Sequence, residues 1–107
     1  MANLMRLDKI DGTRSLAFYC GELPVDDAIT AAGHEPNGYF WEGVASYIAA
    51  DMVGRLELDS EGGMFCAYGK ARHLKRLRAA MEPYLGDPRR VAALIQEAEA
   101  AGFEFGD

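Results

Sequence analysis

Cysteine is scarce in this chain of 107 residues: there are two, Cys20 and Cys66, in separate apolar runs. Two thiols cannot staple a disulfide-rich scaffold. They read as small buried hydrophobes, with a disulfide between neighbouring strands as the alternative. Histidine is equally scarce, and His34 and His73 form none of the zinc-site spacings with the cysteines. No apolar run approaches the roughly twenty residues that a membrane-crossing helix needs. Met1-Ala2-Asn3-Leu4-Met5-Arg6-Leu7-Asp8 lacks the charged start and long apolar run of a secretion signal. A cytoplasmic protein without membrane contact is expected. Glycine-rich phosphate loops, Gly-x-Ser-x-Gly elbows and His-Glu-x-x-His helices are also missing. No metal or cofactor is expected.

What is present is an apolar half, enough for one packed core, with charge unevenly spread along it. Eleven Lys and Arg against seventeen Asp and Glu give a net charge of −6, which argues against nucleic acid as the partner, because phosphate binding requires a basic surface. Residues 1–69 hold four cationic and eleven anionic side chains, residues 70–90 hold seven and two, and residues 91–107 hold only four acids. An acidic body with a basic belt suits a basic protein partner, since complementary fields speed encounter. Solubility alone is the plainer account of the same pattern.

Residues 3–10 and 14–20 read as a hairpin around Asp11-Gly12. A short helix follows Leu23-Pro24, with an Asp cap at Asp26-Asp27 and Gly33 as its stop. His34-Glu35-Pro36-Asn37-Gly38 is a loop. Tyr39 to Val53 reads as one central helix, because Trp41, Val44, Ala45, Ile48 and Met52 fall within an arc of about 100°. Arg55 to Asp59 alternates as a half-buried strand with Leu56 and Leu58 inward, and Met64 to Tyr68 returns beside it. A third helix over Lys70–Leu85 carries a stripe of Leu74, Leu77, Met81, Tyr84 and Leu85, with Pro83 near its end. Asp87-Pro88 caps and starts a fourth, which buries Val91, Leu94, Ile95 and Ala98. Phe103-Glu104-Phe105 alternates as an extension that docks on the core. The order ββααββαα predicts one α+β domain over residues 1–107, an antiparallel sheet of about four strands packed with about four helices.

Chemistry is thin. His34 beside Glu35 is the best acid–base candidate, and Cys66 is the best nucleophile; a loop histidine and a buried thiol are the commoner identities of both. His73, beside the third helix's stripe, packs or caps. Arg89 and Arg90 sit at the wrong end of the fourth helix's dipole; either nearby carboxylates such as Asp87 offset this, or the pair is retained for contact with a partner.

Asn37-Gly38-Tyr39-Phe40-Trp41-Glu42-Gly43-Val44 resembles the signature of the immunity protein 51 family. The likeness continues through Leu56-Glu57-Leu58-Asp59, Gly63-Met64-Phe65-Cys66-Ala67-Tyr68 and Ala98-Glu99-Ala100-Ala101-Gly102-Phe103-Glu104-Phe105. The resemblance implies a small α+β immunity protein of a bacterial polymorphic toxin system. Such a protein is encoded beside a toxin, binds the toxin domain and protects the producing cell. The resemblance brings no catalytic residues with it. A small regulatory or interaction module, or a small enzyme using His34 or Cys66, are the competing classes.

Within the signature, Gly38, Phe40 and Trp41 are expected to serve the fold. Tyr39, Glu42 and Ser46 fall within about 60° on the other side of the helix. An exposed Tyr beside an acid can anchor a partner, and a Glu can pair with a partner's Arg. Glu35, Asp26 and Asp27 extend that acidic surface. In the plainer alternative, Glu42 complements the helix dipole and Tyr39 packs on the loop.

Overall fold

In a computed structural model, which describes residues 5–10 and 13–106, alternation of apolar side chains builds two hairpins that merge into one sheet. Strand β1 spans Arg6–Ile10 and β2 spans Thr13–Tyr19. Ile10 pairs with Thr13, so the connection is two residues long; Asp11 and Gly12 themselves, like Asn3 and Leu4 of the expected first strand, lie outside the described residues. Strand β3 is only Glu57–Leu58, and β4 is Met64–Gly69. The expected strand from Arg55 to Asp59 is thus cut to two paired residues, because Arg55 and Leu56 still donate their N–H groups back to Met52 and Val53. The sheet order is β1-β2-β4-β3, antiparallel throughout. Long-range pairing of β2 with β4, Leu16 opposite Ala67 and Phe18 opposite Phe65, joins the two hairpins at the centre.

Among the described residues, five helices follow the same chain order: α1 (Asp26–Ala31), α2 (Gly38–Ile48), α3 (Ala50–Val53), α4 (Ala71–Leu85) and α5 (Pro88–Ala100). The central helix expected over Tyr39–Val53 breaks at Ala49, whose φ of −142° and ψ of 47° leave the helical region. Neither Gly nor Pro marks the site. The bend turns α3 onto α4 and buries Met52, while Ile48 stays only half-buried. Asp26 does not cap α1 as expected: Val25 is the N-cap residue, and Asp26 Oδ2 instead accepts from the Leu23 N–H at 3.3 Å. Asp87 does cap α5, accepting from the Arg89 and Arg90 N–H groups, with Pro88 in the first turn. Its carboxylate also lies 3.5 Å from Arg90 Nε, which offsets those cations at the dipole's positive end. Pro83 lies inside α4 near its end without stopping it before Leu85.

Leu16, Phe18, Phe65 and Ala67 face the helices, where Phe18 stacks on Phe65 at 5.0 Å and meets the Trp41 ring edge-on at 5.6 Å. Trp41, Phe40, Val44 and Ala45 are fully buried, so α2 is the central helix, as its apolar arc predicts. Helices α2 and α4 lie on the sheet, and α5 bridges α4 and α1. The other sheet face carries Ser15, Ala17, Tyr19, Met64, Cys66 and Tyr68, none of which joins the helix-covered core. Cys66 is opposite Ala17, and Cys20 lies three residues beyond Ala17, just past the end of β2, about 10 Å away at roughly 3.4 Å per residue. That exceeds the reach of a disulfide, and both thiols are free. Among the described residues, no helix is long and apolar enough to cross a membrane.

Candidate functional site

Nearly every residue of the Asn37–Gly43 segment has a structural task. Asn37 caps α2 by accepting from the Phe40 N–H at 2.8 Å. Gly38 donates its N–H to the Gly62 carbonyl, and a Cβ there would collide with the carbonyl oxygens of Glu61 and Met64. Phe40 and Trp41 fill the core. Glu42 Oε2 accepts from the Ser60 N–H at 3.0 Å, which ties the turn between β3 and β4 to the helix. A Cβ on Gly43 would stand 2.9 Å from the Phe105 ring, so glycine there admits the C-terminal segment. Tyr39 is the exception: the residue is 44% exposed.

Tyr39 opens onto a shallow groove of about 260 Å³, lined also by Glu42, Ser46, Leu58, Phe103 and Glu104. The structure therefore brings together Tyr39, Glu42 and Ser46. Asp26, Asp27 and Glu35 are not among the groove's lining residues: Asp27 is exposed on α1, Glu35 is exposed in the loop before α2, and Asp26 is turned toward Leu23. Burial pushes the Asp26 carboxyl above its ordinary value, the Leu23 N–H opposing and Asp27 reinforcing that shift.

Leu58, Phe103 and Glu104 escaped the helical wheel because they reach the groove from other elements. Leu58 is placed by its pairing with Ala67, and Phe103 and Glu104 by an aromatic clasp. Phe105 stacks on Phe40 at 5.1 Å and meets Phe103 edge-on at 5.1 Å, while Phe103 lies 5.2 Å from Tyr47. The Tyr47 hydroxyl donates to Glu97 at 2.8 Å, and that bond raises its pKa. Alternation in Phe103-Glu104-Phe105 signalled docking without saying where.

The two candidates for chemistry are held in structural roles. His34 Nε2 sits 2.8 Å from Glu99 Oε2, with its ring against Phe40 and Phe105. Burial pushes the Cys66 thiol above its usual range, and it pushes Cys20 up to about 11. A thiol so shifted is protonated at neutral pH and is a poor nucleophile. Among the described residues, no three His, Cys, Asp or Glu side chains converge as metal ligands.

The basic belt has a different character. Half-buried His73 has its pKa lowered by burial first, then by Arg72, Arg55, Lys70 and Arg76. Arg55, Lys70, Arg72 and Arg76 are all exposed.

The chain is a small helix-on-sheet α+β domain whose signature segment builds its core and borders a shallow groove. The particular family follows from comparison with known proteins. The family model described as immunity protein 51 matches residues 6–100, and the chain belongs to that family. No curated protein and no solved structure matches it.

Proposed function

We propose that this chain neutralises a cognate toxin by direct protein–protein contact, without catalysis, in the cytoplasm of the cell it protects. The contact surface is the face bearing Tyr39, Glu42 and Ser46, and exposed Glu35 and Asp27 supply further negative charge toward the same partner, Asp26 contributing least because its carboxylate is turned toward the Leu23 N–H. The observation that carries this reading is the division of labour in the signature: Tyr39 alone among Asn37–Gly43 projects well into solvent. Tyr offers large contact area at low entropic cost, and such anchors dominate binding energy in protein interfaces. An inhibitor of this kind requires a rigid scaffold and complementary charge rather than a nucleophile or metal. The His34–Glu99 contact and the burial of Cys66 support the non-catalytic reading over a small enzyme.

Co-expression with a toxin sought in the adjacent reading frames tests the proposal. The expected result is restored growth and a heterodimer that survives size-exclusion chromatography. Growth arrest despite soluble, folded protein would refute it.

A further inference from the structure

The groove beside Tyr39 has the size and chemistry of a socket for one side chain. At about 260 Å³ and open to solvent, it falls below the roughly 300–1,000 Å³ usual for small-molecule pockets. Its apolar and aromatic lining residues are Leu58, Phe103 and Tyr39, and its polar ones are Ser46, Glu42 and Glu104; among the described residues no Lys, Arg or His lines it. Two of the three elements that meet there are fixed independently. Glu42 is anchored through Oε2 by the Ser60 N–H, and the segment carrying Phe103 and Glu104 is clamped by Phe105 against Phe40 and Gly43. The acids are thus presented on a scaffold that needs little ordering on binding.

We infer that this groove receives an arginine side chain from the partner protein. This rests on the immunity reading for the partner's identity but not for the chemistry of the groove. A guanidinium is planar, weakly hydrated and rich in donors, so it can lie on an aromatic face while its N–H groups reach two carboxylates. The aliphatic stem of the same side chain matches Leu58 and Phe103. Lysine satisfies the charge but not the flat face, since its ammonium is a compact and strongly hydrated point charge. A neutral or acidic side chain would leave the negative charge of Glu42 and Glu104 uncompensated.

Two arms of one experiment separate the groove from the function. In the first, the isotope-labelled protein is titrated with N-acetyl-arginine amide, the lysine analogue and the uncharged citrulline analogue, and amide NMR shifts are read. Saturable shifts at Tyr39, Ser46, Leu58 and Glu104 are expected with arginine, weaker ones with lysine and none with citrulline. The paired variant Glu42→Gln with Glu104→Gln keeps an acceptor for the Ser60 N–H and should abolish the response while the rest of its spectrum is unchanged. Equal shifts with citrulline, shifts that persist in that variant, or no shifts with arginine would each overturn the inference. In the second arm, the same variant is measured against the adjacent toxin, where a loss of roughly tenfold or more in Kd is expected for removing a charge-assisted contact. Unchanged toxin affinity also overturns the arginine socket, while leaving immunity itself intact. No toxin binding by the wild type defeats the immunity reading, and the arginine titration then decides the groove by itself.

Discussion

The N-terminal half of α2 and the N-terminal half of α4 both bring charge to the surface, yet they hold it differently. In α2, the Glu42 carboxylate accepts a hydrogen bond across the fold from the Ser60 N–H, and Glu42 lines a groove with Leu58 of β3 and Phe103 of the C-terminal segment. In α4, Arg72 and Arg76 are exposed and gather with Lys70 and Arg55 around His73. Charge that is built into a shaped, partly dry surface can select a partner; charge on a solvated helix face is screened and mostly serves solubility and encounter. The contrast separates a candidate site from a charged surface, although the sequence shows a stronger local run of charge in α4.

Breaking the shaped region from below should give the largest effect. Trp41→Ala removes a fully buried ring that meets Phe18 and Phe40, at an expected cost of about 3–5 kcal/mol. Chemical denaturation should show that loss, and protection against the toxin should fall with the folded fraction. Gly38→Ala drives a methyl into the Glu61 and Met64 carbonyls, for about 1–3 kcal/mol or more of overpacking strain. A variant as stable as wild type would mean the turn between β3 and β4 does not press on α2.

Glu42→Arg sharpens the comparison at the surface itself. Ser60 loses its acceptor, so a stability loss of about 1–3 kcal/mol is expected. Protection should drop further than that accounts for, with the fold retained by circular dichroism. If cells at limiting expression are protected as well as by wild type, the groove is not the interface. The basic belt of residues 70–90 is then the next candidate.

A pH experiment probes the α4 region. Burial and the surrounding cations hold the His73 pKa below 6.5, so the folded state favours the neutral ring. That contribution is present above the unfolded value and is lost as pH falls through the lower folded value. Acidification from neutral pH to about pH 5 should therefore destabilise wild type more than His73→Gln in parallel thermal melts; equal losses would remove His73 from the account. The smallest effect is expected from Arg72→Glu with Arg76→Glu, within about 0.5 kcal/mol per site for exposed positions. Protection should be unchanged, and a loss of protection without a loss of stability would move the interface to α4.

Much of this architecture was legible in periodicity and punctuation. Period-two alternation located the strands, the 3.6-residue stripes located α2, α4 and α5, and Asp87-Pro88 marked a helix start that the structure shows capped. Local chemistry decides such features, because caps and amphipathic faces depend on residues within a turn of one another. The break at Ala49, the trimming of β3 and the uncapped start of α1 were illegible for the opposite reason. No local breaker sits at Ala49; the bend exists because Met52 finds a place in the core and α3 packs on α4. The same division runs through the site. The helical wheel put Tyr39, Glu42 and Ser46 on one face, since one helix carries all three. Joining them to Leu58, Phe103 and Glu104 required contacts between residues up to sixty-five positions apart, which only the packing of Phe105 on Phe40 and of Glu42 on Ser60 brings about.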